Sequence, residues 1–276
     1  MNPSHGNHWE AVDRDCEKTV REILRRACEE GEALGGALFS HGLADVPWKR
    51  GRVIGLKYLD SPLSFIALVA MDLCDKNTAL WSGYPFCSEG IDNGLVVDSI
   101  DRWDNGIEGL VTAHTSDGGI FSFFDPLFFL DKDQLKVGEE RMFTLAALAY
   151  VLRKSEQMSI VIDKGPLLEI EREQQLRDNP GSEPPSSVTV SLSGMAAFMP
   201  HNEYPDDADA RFTIEEVSEF RVAERAFIRL TGIVMRLDGR DVRLTVYVSR
   251  ETLEGYTPRV GDDVEAILWV QGFLKR

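Results

Sequence analysis

KVGEERMFTLAALAYVLRK, residues 136–154, decides the fold. Propensity alone would make FTLAALAYVLRK a helix, because Ala and Leu are strong helix formers. A second stretch, RVGDDVEAILWVQGFLKR at 259–276, stands 123 residues further on. There the Gly supplies a turn, and the Val, Ile, Trp and Phe behind it predict a strand. The two stretches keep basic, Val-Gly, acid-acid and apolar positions in step. Residues 143–154 are therefore read as a strand too.

The correspondence extends outward. Ile107–Arg153 slides onto Leu230–Arg276 without a gap, matching Gly109 with Gly232, Val111 with Val234 and Leu130 with Leu253. Phe124 meets Tyr247, Glu139-Glu140 meets Asp262-Asp263, and Tyr150 meets Phe273. Two copies of one structural unit would preserve such classes in register. In the second copy, FIRLTGIVMRL, Asp238-Gly239 and VRLTVYVS read as strand, turn and strand. SRETLEGYTP can form a short helical turn before the Val-Gly turn and the closing strand. This order resembles the small five-stranded barrels of the OB type, although an SH3-like barrel or a split sandwich would read much the same.

The clearest helix runs from Asp13 to Leu34, with Cys16, Val20, Ile23, Ala27 and Leu34 on one stripe and Gly35-Gly36 ending it. From Ala37 to about Ile162 the text turns to short apolar runs separated by Gly, Pro, Asn and Asp, which predicts strands. Pro180, Pro184 and Pro185 interrupt any regular element and mark a linker, although GPLLEIEREQQLRD before them can carry a helical turn or two. The expected organisation is mainly β with an N-terminal α-helix. It comprises a helical segment at 1–36, a first barrel-like module at 37–164, a Pro-rich linker at 165–187 and a second barrel-like module at 188–276, two related OB-like units in tandem.

Forty-six acidic against 30 basic residues give a formal charge of −16. Nucleic-acid domains are usually basic, so generic binding to nucleic acid or to an anionic membrane is disfavoured. The longest apolar runs are about half the ~20 residues of a membrane helix. No signal-peptide pattern opens the chain. Four cysteines make no disulfide framework, which fits a cytoplasmic protein with reduced thiols.

Candidate site residues are few. His41 sits in a turn-rich stretch near Asp45 and Trp48, and His114 ends a strand beside a predicted hairpin. Either could serve as acid or base if the fold brought a carboxylate to it. His5 and His8 form an HxxH pair on what reads as a flexible tail, a poor frame for a metal, and no metal or cofactor is expected. Trp48, Lys49, Arg50, Arg52 and Tyr58 form a basic island with interleaved aromatics, the pattern that single-stranded nucleic acid uses. The leading expectation is a non-catalytic binding or scaffolding protein whose partner is another protein. It calls for an exposed apolar patch of more than a few hundred Å².

Overall fold

The computed structural model describes residues 7–40, 43, 46–238 and 241–276. In chain order they form helix α1 (Cys16–Glu30) and strands β1 (Glu32–Phe39), β2 (Gly51–Tyr58), β3 (Leu63–Asp72), β4 (Thr78–Cys87), β5 (Ile91–Arg102), β6 (Gly109–His114) and β7 (Ile120–Phe124). Helix α2 (Phe128–Asp131), strands β8 (Glu140–Lys154) and β9 (Ser159–Ile162), helix α3 (Pro166–Asp178) and strands β10 (Val188–Ser191) and β11 (Ala197–Pro200) follow. Strands β12 (Asp207–Val222), β13 (Arg225–Arg236), β14 (Asp241–Ser249) and β15 (Asp263–Leu274) close the chain. The protein is mainly β with a helix near its N-terminus. Residues 143–154 are strand: register with the C-terminal echo overrode helix propensity, because tertiary pairing outweighs it.

Helix α1 stops at Glu30, short of the expected Leu34. Leu34 and both following glycines belong to β1 instead. A Cβ on Gly36 would come within 2.3 Å of the Val53 carbonyl on β2, so this glycine serves close strand approach, and Gly35 stands at a positive φ of 136° within the strand; neither terminates the helix. The Pro-rich linker segment likewise opens with a three-turn helix, α3, started by Pro166 at its first turn.

Strands β1 to β4 form an antiparallel meander. The other large sheet closes on itself twice. One ring runs β5–β6–β7–β15–β8 and back to β5, and the other runs β12–β13–β14–β8–β15 and back to β12. Each ring has five strands, and each contains one parallel contact: β7 with β15 at Phe124 and Gln271, and β14 with β8 over Thr245–Val248. The related units therefore do not simply follow one another as tandem modules. Each ring keeps its own last strand and takes the other unit's as well, so β8 and β15 form a seam that belongs to both rings.

The duplication is visible in the pairing. Ala147 faces Val270 across the seam, and Leu148–Trp269 exchanges with Ala146–Gln271, so the local axis passes through the Ala147–Val270 pair. The Val-Gly turns are equivalent as well. The Gly138 N–H bonds to the Val97 carbonyl at 2.8 Å, and the Gly261 N–H bonds to the Ile214 carbonyl at 2.8 Å. Both glycines stand at positive φ, 82° and 89°, where a side chain would be strained.

One part of the gapless alignment fails. Val97 pairs with Ala113, whereas Ile214 pairs with Gly232. Ala113, not Gly109, is the counterpart of Gly232, because the β13–β14 hairpin is longer on both arms.

Alternation divides the core, as period-two side chains require. Leu145, Ala147, Ala149, Leu268 and Val270 belong to the cluster lined by the rings, while Ala146, Leu148, Trp269 and Phe273 belong to the cluster shared with α1 and the meander. Phe86 meets Phe273 edge-on at 5.3 Å, and Tyr84 meets Phe124 at 5.0 Å. Gln271 is fully buried: its amide accepts from the Cys87 N–H at 2.9 Å and donates to the Pro85 carbonyl at 2.9 Å, clamping β4 to the seam. Cys87 lies in this core, and Cys74 is exposed.

Asp125, at the turn into α2, is fully buried, and its Oδ1 accepts from the Leu127 N–H at 2.9 Å. Burial first, and then the neighbouring Asp131 carboxylate, hold its carboxyl well above the usual range. A pKa raised on folding gives stability that is full below the unfolded value and is lost as pH rises toward the folded one. Asp125→Asn keeps the acceptor without the ionisation. It is expected to be more stable than the parent at neutral pH, with the difference vanishing below about pH 4, near the unfolded carboxylate value. Urea titrations across pH check this.

Candidate functional site

The outer faces of β8, β15, β12 and β11 make the floor of a groove of about 630 Å³. Strand pairing sets its chemistry. Val151 pairs with Ile267, Ile267 with Asp209, and Asp209 with Met199, one row across four strands. The next row is Arg153, Glu265, Arg211 and Ala197. Apolar side chains on this floor stand in water: Val151 is 40% exposed, Ile267 36% and Met199 63%.

The segment between β8 and β12 builds the walls, with Ile160, Leu192 and Met195 facing the groove. It is held down by Arg211, which donates to the Gln157 carbonyl at 2.7 Å and the Leu192 carbonyl at 3.3 Å. The same segment exposes Met158, Val161, Leu167, Ile170, Leu176 and Tyr204 beyond the groove. Isolated exposed apolar residues are ordinary, but this concentration in one insertion is not.

Both arginines in the groove are already paired with a carboxylate. Glu265 accepts from Arg153 at 2.9 Å and from Arg211 at 3.2 Å, and Asp209 lies 3.1 Å from His201 Nε2. Neither arginine is left over for a phosphate. Methionine at the rim adds a flexible, polarizable surface that adapts to different apolar shapes.

The residues singled out in the sequence lie elsewhere. His41 falls outside the described residues, as do Asp45 and His5. His114 sits on β6, and the β5 bulge between Val97 and Ser99 turns Asp98 toward it, with Nδ1 and Oδ1 2.6 Å apart. A carboxylate so placed orients an imidazole, the first requirement of a base. The pair is about one third exposed on an outer strand surface and does not line the groove.

In the basic island, Lys49, Arg50 and Arg52 are exposed. Tyr58, expected beside them at the surface, is instead buried with its hydroxyl 3.4 Å from Arg26 Nη1. Trp48 packs against the core with its indole nitrogen buried. The island keeps its cations, while its aromatics face inward.

Sequence reasoning missed His8. Expected on a flexible tail, it is only 4% exposed and stacks on Trp269 with ring centres 3.7 Å apart. The aromatic Trp9 behind it was the available signal, since a large apolar residue beside the histidine argues for burial. Trp9 stacks on Phe65 and donates to the Gly83 carbonyl at 3.1 Å.

No protein-family model and no curated protein matches the chain. Among solved structures, the molybdate-bound form of the cytoplasmic molybdate-binding protein ModG is similar over 68% of this chain and 98% of that one, at 12% identity and a TM-score of 0.32. Likeness at that level assigns neither a ligand nor a function. No helix among the described residues is long and apolar enough to cross a membrane.

Proposed function

We propose that the protein is a non-catalytic binding protein whose two strand-sharing rings are OB-type barrels, and that the groove on the second ring holds an apolar segment of another protein. The observation that carries this reading is the exposure of Val151, Ile267 and Met199 along one row, walled by Met195 and Ile160 from an insertion rich in exposed apolar side chains. A partner supplying apolar side chains buries this surface at roughly 25 cal/mol per Å². The ion pairs already closed within the groove favour an uncharged segment over a nucleic acid. The net charge of −16 adds to that preference.

The test starts from random peptides displayed on phage and selected on the intact protein. Selected sequences are expected to be apolar, and to slow amide exchange in β11 and the neighbouring part of β12. Ile267→Asp places a charge on the groove floor at a partly exposed site opposite Asp209, so it is expected to cost about 1 kcal/mol of stability and leave the fold intact. It should weaken the peptides on the order of tenfold or more, as charge burial at an apolar contact does. Peptides that protect another surface, or that bind Ile267→Asp unchanged, would contradict the proposal.

A further inference from the structure

The duplicated units stop matching at Tyr150. Val151 pairs with Ile267 and Ala149 with Leu268, so Tyr150 is the extra residue of a β-bulge. Its counterpart Phe273 lies in unbroken pairing between Gly272 and Leu274 and has no hydroxyl. Bulges re-aim side chains, and this one aims the Tyr150 hydroxyl into a polar cluster.

Three separate segments meet there. The Tyr150 hydroxyl contacts His8 Nδ1 from the N-terminal turn and lies 3.2 Å from Asp207 Oδ1 at the start of β12. Trp269, under the His8 ring, donates to Asp206 Oδ2 at 2.9 Å. The other charged groups near Tyr150 and Asp207 are Glu10 and Arg14 from the N-terminal turn and the residues after it, and His201 from the end of β11. Burial, reinforced by Asp206, pushes the Asp207 carboxyl up to about 6, against the pull of Tyr150 and His201.

We propose that His8, Tyr150 and Asp207 form a hydrogen-bond chain that reverses direction when Asp207 takes up a proton, coupling the N-terminal turn to the start of β12. The chemistry follows from one hydroxyl with one proton. An ionised Asp207 can only accept, so Tyr150 donates to it and accepts from His8 Nδ1–H. A protonated Asp207 donates to the Tyr150 oxygen, and the Tyr150 proton then turns to His8 Nδ1. His8 gives up its Nδ1 proton to solvent and takes one at Nε2, so the net uptake is the single proton on Asp207. The start of β12 is tied to the groove by other bonds: the Asp207 main-chain carbonyl accepts from the His201 main-chain N–H at 2.8 Å, and the His201 ring reaches Asp209 on the groove floor. That last link rests on the groove reading, whereas the chain itself does not.

Nitrogen NMR of His8 in the intact protein tests it from about pH 5 to about pH 8, the range in which histidine chemistry is read. The expected result is an Nδ1–H tautomer at the upper end and an Nε2–H tautomer at the lower, with the change lost in Tyr150→Phe. One tautomer throughout, an imidazolium at the lower end, or a change that persists in Tyr150→Phe overturns the chain. Selected groove peptides titrated over the same range are expected to change affinity about threefold or more (on the order of 0.7 kcal/mol) in the parent and not in Tyr150→Phe. A flat affinity beside an intact tautomer change overturns the link to the groove, and a groove that binds no peptide overturns the groove reading alone.

Discussion

Residues 188–276 expressed alone are expected to remain unfolded, and so are residues 1–187. The second ring takes β8 from the first half of the chain, and the first ring takes β15 from the end. Without β8 the C-terminal piece loses the partners of β14 and one side of β15, exposing Val246, Val248, Leu268 and Val270, all of them fully buried in the intact chain. Exposing such side chains costs about 1.5–3 kcal/mol each, so the four together are comparable with the whole margin of an ordinary domain. Co-expression of the two pieces is expected to restore a soluble complex, read by dispersed amide NMR signals. Two independently folded halves would mean that each unit closes on its own last strand.

Trp269→Ala is expected to cost about 3–5 kcal/mol, in the range of large-to-small changes of buried aromatics. Trp269 is fully buried on the seam, stacked on His8 and Phe124, and it is the indole donor to Asp206. The variant opens a cavity where the N-terminal turn, the meander and both rings meet, and removes a donor from a buried carboxylate. Trp269→Phe keeps part of the stack but not the donor, and is expected to fall between. Urea unfolding distinguishes them. A loss of less than about 1 kcal/mol in Trp269→Ala would show that the seam relaxes around the gap.

The strand at 143–154 was legible because the chain writes it twice, and the copy with Ile, Trp and Val removes the ambiguity that Ala and Leu leave. The strand sharing was not legible. Repeats fix which residues are equivalent, but a strand that closes its own unit and one that closes the neighbour's present the same alternation. The mistaken match of Gly109 with Gly232 has a similar cause: a hairpin lengthened on both arms keeps apolar alternation while moving the glycine. Tyr58 was misplaced for another reason, since nothing local reveals that a strand end is covered by α1, whereas the burial of His8 was signalled only by the Trp9 beside it. The groove was least visible of all. Its walls come from 155–206, where Pro-rich text hides a helix and three short strands, and its floor from alternate residues of four strands that only pairing brings into one row.

Backbone NOEs test the shared seam most directly. Contacts from Tyr247 to Leu148 and from Phe124 to Gln271 are expected, because those residues are parallel neighbours across the two units. Contacts from Phe124 to β8 and from Tyr247 to β15 in their place would show each ring closing on its own strand, and the shared seam would be wrong.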